Sequence, residues 1–232
     1  MKNKFMIGAS LICGNQADLK GDVELLKKSG QVDFLHVDTM DGLFVPRYGM
    51  YPEQVKHIKE ICDIPVNVHM MVSNPEPFID WFAESGADII TIHVEPNQQL
   101  GRTIAMIKKA GCKVGLAFNI HSQYHIIESF IDDISLVMLM AINPGILGQG
   151  CWPGIYNKID RFRKYLDNNG RRDVIIEIDG GVTPETAPKL IKAGANMLTC
   201  GTGTIYRPKE APLDIKIGQF KNKVNRELEY AV

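Results

Sequence analysis

Eight short apolar runs, each followed by a stretch with helical spacing, limit the folds open to this chain of 232 residues. They recur about every 20–35 residues, and glycines bound many of them. Strands that alternate with helices predict a parallel sheet. Eight such units in a chain of this length favour an α/β fold of the closed (β/α)₈ TIM-barrel type over a doubly wound open sheet. The runs lie at 6–12, 34–42, 64–71, 88–93, 113–118, 135–142, 174–179 and 195–200.

The composition and net charge of the whole chain are ordinary, and they give no reason to expect a nucleic-acid or membrane partner. No linker or low-complexity tract interrupts it, so we predict one domain over residues 1–232. Apolar residues make up 45% of the chain and charged residues 23%, as in ordinary globular proteins. A net charge of −1 gives no reason to expect nucleic acid or a membrane surface as a partner.

The cysteines and the N-terminus bear on the compartment. The N-terminal segment makes a poor signal peptide, and no apolar run is long enough to span a bilayer. The cysteines are scattered without a C-x-x-C pair, which is typical of reduced thiols in a cytoplasmic protein rather than of a disulfide framework or a zinc ribbon. We therefore expect a cytoplasmic protein. The five thiols are Cys13, Cys62, Cys112, Cys151 and Cys200.

The second run carries the first chemical signal. His36 and Asp38 are two residues apart, so on a strand their side chains leave the same face. One imidazole beside one carboxylate offers a nitrogen and an oxygen ligand to a divalent metal. A hydrogen-bonded pair at a strand end, with no metal, fits this stretch alone equally well.

Other strand ends strengthen the metal hypothesis. In a (β/α)₈ barrel the active site lies at the carboxyl ends of the strands. Ser10, His69 and Asp179 fall at such ends, together with His36 and Asp38. A lone histidine is more often a hydrogen-bonded core residue, and an aspartate before Gly-Gly more often serves a turn. Two histidines and two aspartates converging on one barrel mouth instead predict an N₂O₂ site for a divalent first-row metal.

Glycines follow the later strands. Gly180-Gly181 and Gly201-Thr202-Gly203 come after strands seven and eight, and 145–150 is a third glycine-rich loop. Barrels of this kind build phosphate sites from the loops after strands seven and eight. Tight turns alone also require glycine, but the placement favours a phosphorylated substrate.

Three further features are the methionines near strand ends, one long loop and the charged C-terminal segment. Met40, Met71 and Met140 lie near strand ends, where methionine commonly fills gaps in the core. The loop at 42–51 is longer than a barrel connection needs, which favours a function for it. The charged segment at 216–232 predicts a solvated final helix.

With these residues assembled, the chain resembles the ribulose-phosphate 3-epimerase family from about residue 6 to residue 206. The first and the last motif in this order are highly specific. The motifs are His36-Val37-Asp38-Thr39-Met40-Asp41-Gly42-Leu43-Phe44-Val45-Pro46, His69-Met70-Met71-Val72, Asn143-Pro144-Gly145 with Gly148-Gln149, and Ile178-Asp179-Gly180-Gly181-Val182.

The resemblance implies roles for these positions. His36, Asp38, His69 and Asp179 would hold one divalent ion per subunit (Zn, Fe(II), Mn or Co), and Asp38 and Asp179 would form the acid–base pair. Ser10 would contact the substrate, and the three methionines would cap the reacting carbons. The implied substrate-binding set is Ser10, Met40, His69, Met71, Met140, Gly145, Gly148, Gln149, Gly180, Gly181, Gly201 and Thr202.

The implied chemistry suits these residue types. Inverting a carbon beside a ketone means removing its proton on one face and returning one on the other, which two carboxylates can do. A metal would act as a Lewis acid that stabilises the enediolate. The chain departs from the family at 47–49, 119–121 and 146–152. Arg47 and Trp152 near the mouth leave two substrate pairs open, ribulose/xylulose 5-phosphate and allulose/fructose 6-phosphate.

Two other functions compete with the epimerase. A lyase or decarboxylase of the related phosphate-binding barrels would carry an Asp-x-Lys-x-x-Asp strand, but Met40 stands where the lysine would be. A non-catalytic sugar-phosphate-binding protein would have lost a ligand or an acid–base carboxylate, and none is missing. We expect a small phosphorylated ketose as the ligand and a homo-oligomeric assembly.

Overall fold

Eight parallel strands close into a barrel in chain order, with β8 pairing to β1. The computed structural model describes residues 5–146, 148–206 and 211–229. The closed ring confirms the predicted (β/α)₈ fold. Its strands are β1 (Met6–Ser10), β2 (Phe34–Met40), β3 (Val66–Met71), β4 (Ile89–His93), β5 (Lys113–Phe118), β6 (Leu136–Met140), β7 (Ile175–Asp179) and β8 (Met197–Cys200).

Helices follow the strands on the outside of the ring. The stretch after β5, expected to be helical over 122–131, forms a 3₁₀ helix, Tyr124–Phe130. It contains the β-branched pair Ile126-Ile127 and has no side-chain cap, both unfavourable for an α-helix. The α-helices are α1 (Leu19–Ser29), α2 (Pro52–Ile61), α3 (Ile79–Glu84), α4 (Leu100–Lys109), α5 (Ile155–Asn168), α6 (Ala187–Lys192) and α7 (Leu213–Glu229).

The last helix, α7, differs from its prediction. It begins at Leu213 and buries Ile217, Phe220 and Val224, in contact with α1. These residues repeat at helical spacing and form one apolar stripe, so the helix is packed rather than fully solvated. The charged residues on its other faces concealed this stripe. None of the described helices is long and apolar enough to cross a membrane.

Strand register determines which side chains meet inside the barrel. Ser10 pairs with His36, Asp38 with His69, and Met140 with Asp179. Because side chains alternate along a strand, these positions project inward near the carboxyl ends. The barrel also holds an apolar interior cluster. Its residues are Phe34, Ile89, Ala117, Leu136, Met138, Met140 and Ile175.

Candidate metal and substrate site

Two histidines and two aspartates converge at the carboxyl end of the barrel. One ligand atom from each of His36, Asp38, His69 and Asp179 lies within 4.8 Å of all the others. Asp38 Oδ1 is 3.1 Å from Nε2 of His36 and 3.2 Å from Nδ1 of His69. The same Nδ1 lies 3.6 Å from Asp179 Oδ2. The structure thus brings together the four residues that the sequence singled out as ligands.

The donor set fits a divalent ion. Both imidazoles are fully buried, and Asp38 is only 5% exposed. Among the residues that the structure describes, no lysine or arginine pairs with Asp38 or Asp179. Buried carboxylates need a cationic partner or coordination to a metal, and two nitrogen and two oxygen donors suit Zn, Fe(II), Mn or Co.

The two aspartates have opposite electrostatic environments. Burial raises the pKa of Asp38, but His36 and His69 outweigh it, and the pKa of Asp38 falls well below its usual range. For Asp179, burial and the neighbouring Asp38 raise the pKa to about 6, although both histidines oppose this. The side chain of Asp179 is 17% exposed. One carboxylate is therefore held ionised while the other takes up a proton readily.

Glu177, which sequence reasoning passed over, lies behind His36. Its Oε1 is 3.0 Å from His36 Nδ1 and accepts from Thr199 Oγ1 at 2.6 Å, and its Oε2 accepts from Asn67 Nδ2 at 2.8 Å. Burial lowers the pKa of His36, but Asp38 and Glu177 raise it well above its usual range. A carboxylate inside an otherwise apolar strand, two residues before Asp179, was the available signal.

His93 and Glu95 were also missed at the sequence level, although they repeat the histidine-x-acid pattern of His36 and Asp38. His93-Val94-Glu95, which begins at the last residue of β4, has the same histidine-x-acid spacing as His36-Val37-Asp38 within β2. Nε2 of His93 lies 2.9 Å from Nε2 of His69. The repeated pattern was the signal that could have found them.

A cavity of about 490 Å³ opens above the cluster. Asp38 and Asp179 lie in its wall, whereas His69 is buried and is not part of the lining. All the other residues of the expected substrate-binding set line it. They are Ser10, Met40, Met71, Met140, Gly145, Gly148, Gln149, Gly180, Gly181, Gly201 and Thr202.

Two of the polar lining residues are already engaged. Ser10 Oγ donates to Asp38 Oδ2 at 2.9 Å, so it orients the aspartate. Nε2 of Gln149 donates to the carbonyls of Asn143 at 2.8 Å and Ile146 at 2.9 Å. That side chain therefore stabilises its own loop.

Glycine is required where the loops meet. Gly181 has φ +65°, and a Cβ there would lie 2.6 Å from the Cα of Cys151. Gly145 has φ +77°, and a Cβ there would lie 2.6 Å from the Cβ of Val45. The loops after β6, β7 and β2 therefore approach each other closely only because these positions lack side chains.

The methionines serve packing and the cavity at once. Met40 and Met71 pack with the buried Val45 of the loop at 42–51, and Met140 belongs to the interior cluster. All three also line the cavity. Packing and contact with a ligand are therefore compatible at these positions.

The departures from the family pattern fall in different places. Arg47 lines the cavity as the one basic side chain in the described part of its wall. Trp152, which was expected near the mouth of the barrel, instead lines a second cavity of about 230 Å³ beside Lys158. Leu147 lies outside the described residues.

Comparisons with known proteins identify the family. A family model described as the ribulose-phosphate 3 epimerase family matches residues 6–205. A ribulose-phosphate 3-epimerase of Bacillus subtilis (strain 168) is 39% identical over 196 residues, which cover 84% of this chain and 90% of the relative. The chain belongs to the ribulose-phosphate 3-epimerase family. It is an enzyme of the isomerase class, an epimerase.

Other relatives agree over the whole length. A ribulose-phosphate 3-epimerase of Buchnera aphidicola is 33% identical over 99% of this chain and 97% of its own. Among solved structures, orotidine 5'-phosphate decarboxylase from Pyrococcus horikoshii OT3 superposes with a TM-score of 0.67 at 14% identity, covering 94% of this chain and 99% of that one. At that identity the likeness shows the barrel fold alone.

Proposed function

We propose that this epimerase inverts C3 of a ketose phosphate with two carboxylates and one divalent metal ion per subunit. The observation that carries the proposal is the cluster of His36, Asp38, His69 and Asp179 at the floor of a cavity lined by the family's motifs. The two substrate pairs are ribulose/xylulose 5-phosphate and allulose/fructose 6-phosphate.

Asp38 and Asp179 divide the proton transfer between them. The lowered pKa of Asp38 favours its ionised form as a base, and the raised pKa of Asp179 favours its protonated form as an acid. Two carboxyl groups with pKa values pushed apart suit opposite roles in one turnover. They exchange roles when the reaction runs in reverse.

A metal held by the four ligands would supply a Lewis acid for the charge that develops on the sugar's oxygens. Ser10 keeps the Asp38 carboxylate oriented through the hydrogen bond to Oδ2. Met40, Met71 and Met140 cover the reacting carbons with apolar surface that donates no protons. The buried walls keep water from competing for the reacting carbon.

The far wall of the cavity suits a phosphate. Gly180, Gly181 and Gly201 present bare backbone to the cavity after β7 and β8, where barrels of this type bind phosphate. Arg47, which faces the same cavity, adds a positive charge. The anionic end of a sugar phosphate would lie against these groups.

The test is turnover of each sugar by purified protein. Ribulose 5-phosphate and allulose 6-phosphate are incubated separately with metal-replete protein, and NMR detects the 3-epimer. We expect one sugar to be converted faster, with loss of activity on chelation and recovery with added metal. No conversion of either sugar by metal-replete protein would contradict the proposal.

The metal is identified by the same assay. Zn, Fe(II), Mn and Co are each added to chelated protein, since affinity order alone does not decide which ion such a site uses. Recovery of activity with none of the four ions would contradict the proposed cofactor. The ion that restores the most activity, and that is also found in freshly purified protein, would be identified as the cofactor.

We also propose a homo-oligomer that works in the cytoplasm. Leu43, Tyr48 and Tyr51 are 83%, 81% and 60% exposed on or beside the loop at 42–51, which supports burial of this patch between subunits. Light scattering that gives the monomer mass at micromolar concentration would contradict the oligomer. The free thiols support a reducing compartment.

A further inference from the structure

We propose that His93 and Glu95 are positioning residues that hold His69 in the tautomer whose Nδ1 is free to bind the metal. Nε2 of His69 lies 2.9 Å from Nε2 of His93, and Nδ1 of His93 lies 2.9 Å from Glu95 Oε2. We name His69, His93 and Glu95 the relay. The inference rests on the proposed function, since it concerns a ligand of the proposed metal.

One fixed end and the proposed place of one proton set the direction of each hydrogen bond in the relay. A carboxylate only accepts, so Nδ1 of His93 must carry the proton that Glu95 accepts. A single proton lies between Nε2 of His93 and Nε2 of His69, which are 2.9 Å apart, and the proposal places it on His69, so that Nε2 of His93 accepts. His69 is thereby protonated at Nε2, and its unprotonated Nδ1 faces Asp38 and Asp179.

Glu95 is a firm anchor for the relay. Its Oε1 accepts from the amide of Asn119 at 2.7 Å and from the hydroxyl of Ser122. Burial raises the pKa of Glu95, but the hydrogen bonds from His93, Ser122 and Asn119 lower it to about 2. Glu95 therefore remains an acceptor across the physiological range.

The relay is shielded from water. His69 and His93 are 0% and 1% exposed, and their ring centroids lie 5.1 Å apart. The ring of Phe44, from the loop after β2, lies over His93 at a centroid distance of 4.8 Å. With water excluded, Nε2 of His69 and both ring nitrogens of His93 have only each other and Glu95 as partners among the described residues, so the protein sets the tautomers.

His36, the other histidine of the cluster, is also held by a carboxylate, but directly and without an intervening residue. His36 directs Nδ1 to Glu177 and Nε2 to Asp38. His69 faces the cluster with Nδ1 instead, which points its Nε2 toward β4 and away from Glu177. An intervening imidazole, His93, spans the distance to Glu95. Carboxylates behind metal-binding histidines fix the ring and raise its basicity.

The experiment measures zinc affinity and histidine tautomers in the full-length protein. His93→Leu removes the acceptor, His93→Gln retains a carbonyl that can accept from His69, and Glu95→Gln removes the anchoring charge. The matched control is Asp41→Asn, because Asp41 is also a strand-end carboxylate but accepts from the backbone amides of residues 43, 44 and 73. Zinc affinity is measured by competition with a chelator.

We expect zinc binding to weaken about 10- to 100-fold in His93→Leu and about 10-fold in Glu95→Gln. His93→Gln should recover part of the loss. Asp41→Asn should stay within about twofold of wild type, because Asp41 does not belong to the relay and loss of its charge acts on the metal only through solvent-screened electrostatics. Long-range proton–nitrogen NMR of the zinc-loaded wild type should show His69 protonated at Nε2 and His93 at Nδ1.

Two results would overturn the relay. One is a wild-type spectrum with His93 protonated at Nε2, and the other is Glu95→Gln protein that binds zinc as tightly as wild type. Failure of the proposed function looks different. Wild-type protein that shows the expected tautomers and binds zinc, yet converts neither sugar, would contradict the epimerase proposal and leave the relay intact.

Discussion

At the scale of single residues, Glu95 should contribute stability that depends on pH. Its pKa falls from 4.5 to about 2 in the folded protein. A lowered acid pKa stabilises the fold above the unfolded value, and this stabilisation is lost as pH falls toward the folded value. In chelated protein, wild type should exceed Glu95→Gln by about 3 kcal/mol at pH 7 and by about half that at pH 3.

Denaturant unfolding of wild type and Glu95→Gln at several pH values measures this difference. A gap between wild type and Glu95→Gln that stays constant from pH 7 to pH 3 would show that Glu95 titrates alike in both states. It would remove the electrostatic argument for Glu95 as an anchor.

The same scale shows what the sequence predicts well. His36, Asp38, His69 and Asp179 were predictable because each lies on a predicted barrel strand, and parallel strands bring their carboxyl-terminal parts together. Glu177, His93 and Glu95 were not found. A single glutamate leaves the run Ile175–Asp179 apolar enough to predict a strand, so Glu177 did not stand out. For His93, the ring orientation decides whether a histidine lies in the cluster or behind it, and no sequence pattern encodes that orientation.

At the scale of elements, the contact between β4 and β5 depends on Gly115. A Cβ at this position would lie 2.1 Å from Oγ1 of Thr91 on the neighbouring strand. Thr91 in turn donates to Asn67, which bonds Glu177. Gly115→Ala should destabilise the barrel by about 1–3 kcal/mol through overpacking and shift the polar groups behind His36.

Gly150→Ala is the control for this substitution, because a Cβ at Gly150 would have no atom within 4 Å. Its free energy of unfolding should stay within about 0.5 kcal/mol of wild type. Chemical denaturation compares the two variants. Equal stability of Gly115→Ala and Gly150→Ala would mean that β4 and β5 accommodate the extra methyl group without cost.

The positions of the elements were more predictable than the type and packing of two of them. All eight strands occur where apolar runs predicted them, but the 3₁₀ helix Tyr124–Phe130 and the packed face of α7 were not foreseen. Their character depends on tertiary contacts. Local propensity is a weak guide to such contacts.

At the scale of the whole molecule, the prediction of one domain over residues 1–232 implies one cooperative transition. Trp81 lies in α3 and Trp152 lies in the loop after β6, so the two tryptophans report on different parts of the fold. In each single-tryptophan variant, Trp81→Phe or Trp152→Phe, the fluorescence midpoint should coincide with the far-UV circular dichroism midpoint of that same variant. A variant whose fluorescence and circular dichroism midpoints differ would contradict a single folding unit.

The central claim is that two different carboxylates act on opposite faces of C3. The most direct measurement is NMR of the first turnovers in deuterated buffer. If one carboxylate removes the proton and the other supplies a solvent-derived one, the product should carry deuterium at C3 and retain protons at its other carbons. Product that retains the original C3 proton, or that gains deuterium at C1, would contradict the account.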